Sequence, residues 1–548
     1  MVTMVVSVRY SQRQLPKERA KLYDVVVKAI LEKQYGADAD AHGAREALIM
    51  WGGPPDTQRE WLSHLAFHMH KRGAGGAVAD ETTVRQILTD ALAQRGESEN
   101  VEPFVRAMRQ RGGLFEERGE QFQFMHLTFQ EFLAAEYLAN EWRTHHDQLA
   151  KWVTDSWWRE TLLLTIGKLD SPIPFSQRQA FIDALLKLRL SPDVVVAAAE
   201  VVTLGLLDLR QLDNTLRQRA QKRLTNIFSD STFLSSVSPP LRVNAGIALA
   251  QIGDPRPNVI TVDGMEFCYV PAGPFWMGND DGDNDQNPLH KVDIPYGYWI
   301  ARYPVSNAQF EQFVKDGGYQ KERFWTEAKE KGEWKHGKVG WTLEGKGRAR
   351  SNNHGSPYNL PNHPVVGVNW YEALAFTCWL GERWGSKARL PSEAEWEKAA
   401  RGGIKIPVTP LIRPATQLDN GRSLPMQSNP NPQRCYPWGN QPDQMLVNSE
   451  ESGIGHTNAL ASYPKGKSPY GCQEMSGNVW EWCNSLYKTY PYRPDDARET
   501  VKRSAKKANT VLRGGSSYSN IAIVSCGTRY WYIPLDGVSL RVFRVFRP

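Results

Sequence analysis

Few residues in this chain combine the type and spacing that chemistry demands. Six cysteines (Cys268, Cys378, Cys435, Cys472, Cys483 and Cys526) lie far apart, with no Cys-x-x-Cys pair. Reduced, mostly buried thiols in a cytosol are expected from such usage. Cys526 is a lone candidate nucleophile, and no general base is evident beside it. His64, His68 and His70 crowd one predicted helix. A metal would need further ligands in suitable geometry, so ordinary helix-boundary histidines are expected. Gly466-Lys467-Ser468 is the one Gly-Lys-Ser, but Ala461 stands where a phosphate loop needs its first glycine. No ATP hydrolysis is expected. The acidic run Asn279–Asn287 lacks the glycine and the closing glutamate of a calcium loop and is read as solvated.

The stretch Leu512–Pro548 stands apart by its vocabulary. Gly514 to Pro548 contains no Lys, Glu, Gln, Met or His, although ETVKRSAKK lies just upstream. Nearly every residue present can be reached from an Asn codon by replacing its first two adenines, Trp531 being the exception. Strands are depleted in Lys and Glu in any case, so vocabulary alone leaves both readings open.

These residues must be positioned by a chain of 548 residues, enough for about three domains. Apolar residues make up 41% and charged residues 23%, ordinary for a globular protein. Net charge is +6 with Lys and Arg scattered, so no nucleic-acid partner is expected. Met1 to Tyr10 has no adequate apolar core or cleavage site, and no run approaches ~18 apolar residues. Neither a signal peptide nor membrane insertion is expected, and a cytoplasmic location is.

From residue 1 to about 150, apolar residues recur at three- and four-residue spacing, as in LYDVVVKAILEKQY and VRQILTDALAQRG, which predicts helices. Gly113-Leu114-Phe115, followed by Phe124-Met-His-Leu-Thr-Phe-Gln-Glu-Phe-Leu-Ala-Ala135, resembles the tail of NACHT-type signalling NTPases. The resemblance implies a small winged-helix unit without its nucleotide-binding module. A signalling NTPase is then one partner for the helical half. From 151 to 258 a series of helices is predicted, the last (LRVNAGIALAQIGDPRP) resembling the close of a HEAT-like repeat. Gly253 and Pro255 stop it, and Asp254–Asn258 is the candidate linker.

From 259 to 548 the composition turns to Gly, Pro, Trp and Tyr. Ser306-x-x-Gln309, Asn369-x-x-Glu372 and Ser392-x-x-Glu395 each predict a capped helix start. Several motifs follow in fixed order: Pro271–Gly278, Tyr303–Phe310, His363–Tyr371, Arg389–Glu397, Tyr436–Gly439, Gly477–Trp482 and Leu512–Ser516. Together they resemble the formylglycine-generating-enzyme (sulfatase-modifying factor) family. The fold class expected is therefore α+β and multidomain. Its N-terminal half is all-helical, winged-helix and HEAT-like, and its C-terminal domain is C-type-lectin-like, of the formylglycine-generating-enzyme type.

In the resembled oxidases two cysteines five residues apart bind copper and do the chemistry. Here those positions are Ser519 and Val524, neither of them a soft metal ligand. Neither copper nor an enzyme is expected. The last stretch further resembles the variable region of proteins diversified by retroelements, which mutate template adenines at the end of a C-type-lectin fold. Arg513–Ser516 and Phe543-Arg544 hold the frame, with Val542 where Gly is usual. The resemblance implies a diversified site, about 513–544, that binds varied ligands, proteins among them. Its candidate contacts are Ser517, Tyr518, Ser519, Asn520, Thr528, Tyr530, Trp531, Tyr532, Leu535, Gly537, Val538, Ser539 and Arg541. Its tyrosines and Trp531 are stiff amphipathic contacts of the kind paratopes use. Arg541 is suited to an acidic group. Ile521, Ile523 and Val524 are assigned to the core. No cofactor is required. The family resemblance implies a structural calcium held by Glu474, Gly477, Val479 and Glu481. A weaker second site maps to Asn448, Ser449 and Ile454, with Ser452 where the family has Asp. Two other functions stay open: an adaptor with an invariant lectin-like domain, and an oxidase.

Overall fold

The helical spacing of the first part is realised. Helices Arg19–Tyr35 (α1) and Pro55–His70 (α2) come first. A short strand Val78–Asp80 (β1) then leads into Glu81–Ala93 (α3) and Val101–Arg111 (α4). Their apolar faces, including Val27, Leu65, Leu88 and Phe104, are buried. The segment after Leu114 is not helical. Phe115–Arg118 (β2) and Gln121–Phe124 (β3) form a hairpin that β1 extends, in the order β1-β3-β2. A small sheet thus interrupts the expected all-helical half. Its hairpin is the wing that precedes Leu127–Glu141 (α5), whose Phe129, Phe132 and Leu133 are buried.

The computed structural model describes residues 18–35, 55–93, 101–111, 114–169, 175–209, 213–340, 347–418, 424–499, 509–537 and 540–548. These form two compact units, Met1–Ala220 and Gln221–Pro548. In the first unit the three histidines of α2 are packing residues. His64 and His68 meet the Tyr137 ring edge-on. His70 is buried against Trp157, and burial lowers its pKa to about 4. Helices Ser156–Lys168 (α6), Phe175–Leu186 (α7) and Pro192–Leu207 (α8) follow. Ser191 caps α8, and Pro192 occupies its first turn, where a missing N–H costs nothing.

The two compact units divide within Asn214–Ser229 (α9). The next helix, Pro239–Ile252 (α10), belongs to the second unit. Its Arg242, buried, donates to the carbonyls of Met445 and Ser462. The Asn362 amide donates to Gly246 O. The candidate linker at Asp254 is likewise a fixed turn. Asp254 is buried in a 2.6 Å ion pair with Arg256 and also receives the Asn362 amide.

Two four-stranded sheets organise the second unit. Glu266–Val270 (β4) and Tyr298–Ala301 (β7) flank the hairpin Gly273–Met277 (β5) and His290–Ile294 (β6) in sequence. Three longer helices follow: Asn307–Lys315 (α11), Trp370–Trp384 (α12) and Glu393–Arg401 (α13). All three open on the expected capping boxes, each with both reciprocal bonds formed. Then come Ile412–Pro414 (β8), Trp480–Leu486 (β9), Thr510–Arg513 (β10), Arg529–Tyr532 (β11), Arg541–Phe543 (β12) and Phe546–Arg547 (β13). One sheet runs β8-β4-β7-β13 and the other β11-β10-β9-β12. The last stretch therefore supplies strands to both sheets, and three of them, β11, β12 and β13, are edges. The core beneath, with Trp370, Phe376, Trp482 and Phe543, is fully buried.

Candidate functional site

The site begins with what holds the last stretch in place. Arg513 ends β10 with its side chain fully buried between Glu393 and Glu397 of α13. It also donates to the carbonyls of Cys526 and Gly527. Gly515 follows at φ 76, and a Cβ there would lie 2.6 Å from Val524 Cγ1. A glycine is required at that turn. Arg529 opens β11 with two bonds to Glu393, at 2.8 and 2.9 Å. At the far end the buried Arg544 pairs with Glu481 of β9, at 2.7 and 3.0 Å. It also donates to the carbonyls of Ala301, Arg302 and Gln473. Burial works against the Arg544 charge, but Glu481 beside it keeps the pKa above the usual guanidinium value. Thus three buried arginines of the stretch meet three buried glutamates from α13 and β9.

Between these anchors the candidate contacts divide sharply. Tyr518 (59% exposed), Tyr530 (50%) and Trp531 (42%) are open to solvent, as is Asn520. The adjacent and exposed Tyr530 and Trp531 both lie on β11, an edge strand. Their rings lie 6.4 Å apart and nearly parallel, at 13°. The Tyr530 ring lies 5.7 Å from that of Trp480, and Trp531 lies 6.1 Å from Tyr487. The Ser517 N–H bonds to Asn478 O, two residues before Trp480, so Tyr518 and Tyr530 flank the same short segment.

Several expected contacts are instead framework. Ser517 is buried, and Ser519 is buried with its hydroxyl accepting from Ser516 N. Thr528 is buried against the Ser525 hydroxyl. Arg541 meets the chain's own Asp536 at 3.0 Å and lies 3.8 Å over the Tyr532 ring, so its acidic partner is internal. Gly537 is buried, its carbonyl takes the Asn352 amide, and a Cβ there would stand 2.1 Å from Arg348 Nη2. Tyr532 and Leu535 are half-buried against the main core. Val538 and Ser539 lie outside the described residues. The core assignment holds for Val524, which is fully buried, while Ile521 is half-buried and Ile523 is 44% exposed. Ile521–Ile523 forms one turn of 3-10 helix capped by the Asn520 side chain, and this turn carries Ala522 and Ile523 outward. Sequence reasoning also missed Tyr358, whose hydroxyl lies 2.8 Å from that of Tyr518.

Chemistry at the two oxidase positions is poor. Ser519 has an alcohol where a thiolate is needed, and Val524 packs with Tyr436 and Val447. The nearby Cys526 is wholly buried, and burial pushes its thiol up to about 12. It is a core residue, not a nucleophile. The calcium positions fare no better. Both Glu481 carboxylate oxygens are engaged, by Arg544 and by the Trp396 indole N–H. The Arg544 guanidinium also reaches Glu474 O, and Gly477 O accepts from Val479 N. A cationic side chain already stands among these oxygens, so they do not fit a divalent cation. In the second set, Asn448 Oδ1 and Ser449 O are both reached by the Ser452 hydroxyl, and Glu451 is turned toward Ile521 N. Ile454 is half-buried beside them. That set brings no free carboxylate, which a hard cation needs. Among the described residues, no group of three or more His, Cys, Asp or Glu is placed to hold a metal.

Comparison with known proteins agrees with this architecture. The family described as "Sulfatase-modifying factor enzyme 1-like domain" matches residues 254–547, more than half of the chain. The chain belongs to this family. A second family, "Winged helix-turn-helix domain C-terminal to NACHT", matches residues 19–138. The second unit thus carries the formylglycine-generating-enzyme type of fold, and the first unit a winged helix. Among curated relatives, the hercynine oxygenase of Mycolicibacterium smegmatis is 32% identical over 330 residues, covering 56% of this chain and 66% of the relative. The serine/threonine-protein kinase pkn1 of Chlamydia caviae is 29% identical over 267 residues, covering 48% of this chain and 35% of the relative. The formylglycine-generating enzyme of Thermomonospora curvata is 31% identical over 294 residues, covering 47% of this chain and 87% of the relative. The chain therefore spans less than two thirds of the length of the first two. Among solved structures, PvdO from Pseudomonas aeruginosa aligns with 51% of this chain and 93% of its own, at 23% identity and a TM-score of 0.36. Treponema denticola variable protein 1 aligns with 52% and 95%, at 18% identity and a TM-score of 0.34. The family includes enzymes, so membership alone assigns no activity. Among the described residues, no helix is long and apolar enough to cross a membrane.

Proposed function

We propose that the family domain of this chain is a non-catalytic binding module whose last stretch is a diversified ligand site. One observation carries the reading. Within Leu512–Pro548 the anchoring side chains Arg513, Arg529 and Arg544 are fully buried in ion pairs. Tyr518, Asn520, Ala522, Ile523, Tyr530 and Trp531 are exposed. Adenine mutagenesis at the exposed codons would change the surface and spare the fold. The ligands proposed are proteins, since exposed Tyr and Trp beside a short amide suit large, adaptable contacts. Ser519 and Val524 in place of the oxidase cysteines support the absence of redox chemistry. No copper, calcium or ATP enters the proposal. The winged-helix half is proposed to engage a signalling partner such as an NTPase, in the cytoplasm.

The test is to sequence the 3′ end of the gene across a population of source cells, beside any near-copy in the same genome. Substitutions at adenines of the copy, concentrated in the six exposed codons, are expected. An invariant segment without a copy would refute diversification and favour the fixed adaptor.

A further inference from the structure

A second opening in the same unit has its own chemistry, and it does not depend on diversification. A cleft of about 620 Å³ lies between α11 and the segment 350–361. That volume is within the roughly 300–1,000 Å³ usual for small-molecule sites. Its floor is apolar: Phe310, Val365 and Val366 are all buried. Its rim carries Glu311 and Lys315, one turn apart on α11, and Arg350 on the facing segment. None of these three has a hydrogen-bond or ion-pair partner among the described residues.

The amides around the cleft are not free in the same way. The Asn307 side chain is spent on the carbonyls of Tyr358 and Leu360. Asn352 is spent on Gly537 O and Gln312 on Ile260 O. Two residues before Arg350, Arg348 is locked to the buried Glu372. The amides of Asn307, Gln312 and Asn352 thus hold the wall, while Glu311, Lys315 and Arg350 are the unpaired charges lining the cleft, beside the neutral Asn353 and Asn359. Unpaired charges of both signs over an apolar floor match a ligand with both charges and an apolar body.

We infer that this cleft binds a small zwitterion of the amino-acid class, from a free amino acid to a dipeptide, with an apolar side chain. Arg350 and Lys315 take its carboxylate, Glu311 takes its ammonium, and Phe310 and Val365 take the side chain. The wall is tied to the last stretch through Tyr358 and Tyr518, whose hydroxyls lie 2.8 Å apart. The cleft thus adjoins the proposed protein-binding surface without including it.

The experiment is isothermal titration of the full chain with L-phenylalanine, L-leucine and the dipeptide Leu-Phe, using acetate and methylammonium as half-ligands. Saturable binding of at least one zwitterion is expected, with neither half-ligand matching it. Losing one charge-assisted bond costs about 1.5–3 kcal/mol, so Arg350→Gln and Glu311→Gln should each weaken binding at least ~10-fold. The inference fails if no zwitterion binds, or if binding survives both charge substitutions. It also fails if acetate binds as tightly as the zwitterions, which would make the cleft a plain anion site. None of these outcomes bears on whether the 3′ end of the gene is diversified.

Discussion

Arg529 separates anchor from surface more cleanly than any other position in the last stretch. It directly precedes the exposed Tyr530 in sequence. Yet its guanidinium makes two bonds to Glu393, at 2.8 and 2.9 Å, and donates to the carbonyls of Asp285 and Lys488. It also stands 4.1 Å over the Tyr490 ring. Removing one partner of a buried pair typically costs about 3–5 kcal/mol, because the other charge is left without compensation. Glu393 would keep Arg513 at 3.4 Å and the Tyr490 hydroxyl at 3.1 Å, which places Arg529→Ser near the lower end, at about 3 kcal/mol. For a unit of this size that is a fall of about 5–10 °C in Tm. Urea unfolding followed by tryptophan fluorescence, read on the second unit's transition, measures it. Asn520→Ser is the control. It keeps a capping oxygen at an exposed site and should stay within about 0.5 kcal/mol of the parent. A cost below about 1 kcal/mol for Arg529→Ser would mean the pair is not structural, and Arg529 would then belong with the ligand contacts.

Three further outcomes are expected. His363 is fully buried, and burial lowers its pKa to about 3 with His456 adding to the effect. Its unfolded value is near ~6.5, so the unfolded chain binds the extra proton first. The second unit should therefore lose up to roughly 4 kcal/mol as pH falls from ~6.5 toward ~3. The window should flatten in His363→Gln, measured by urea unfolding at stepped pH, and an unchanged slope would contradict this. Because Arg544 occupies the Glu481 carboxylate, neither calcium nor a chelator should move the unfolding midpoint; a calcium-dependent rise would show the arginine yields to the ion. Alkylation of the native chain should modify the exposed Cys378 before the buried Cys268, Cys472, Cys483 and Cys526, as mass spectrometry of timed samples would show. Early labelling of Cys526 would overturn its placement in the core.

What could be read from the sequence follows the range of the forces involved. The capping boxes at Ser306, Asn369 and Ser392 are local, four-residue devices, and each forms as expected. Motif order across the last 290 or so residues predicts the fold type. Arg541 looks like a free cation because its partner, Asp536, is set by packing rather than by spacing. Ser517 and Thr528 carry surface-type side chains but are held inside by backbone partners, Asn478 O and Ser525 O. The error on Ile523 is of the opposite kind: an apolar residue turned outward by a capped 3-10 turn. Likewise, nothing near Asp254 announces that Asn362, more than a hundred residues away, will fix it.

A site that changes by mutation needs a scaffold whose stability does not depend on the residues that change. Regular structure offers little of that here, since the strands after residue 509 are only two to four residues long. Buried ion pairs supply the alternative. They are costly to break and specific in geometry, although a well-packed apolar replacement can be as stable. Their value in this fold lies in register. Arg513, Arg529 and Arg544 all find their carboxylates outside the stretch, on α13 or β9. A slip of the chain by one residue would strand three buried charges at once. Exposed neighbours such as Tyr518, Tyr530 and Trp531 take no part in those ion pairs. Their identity can therefore change while the edge they decorate stays where it is.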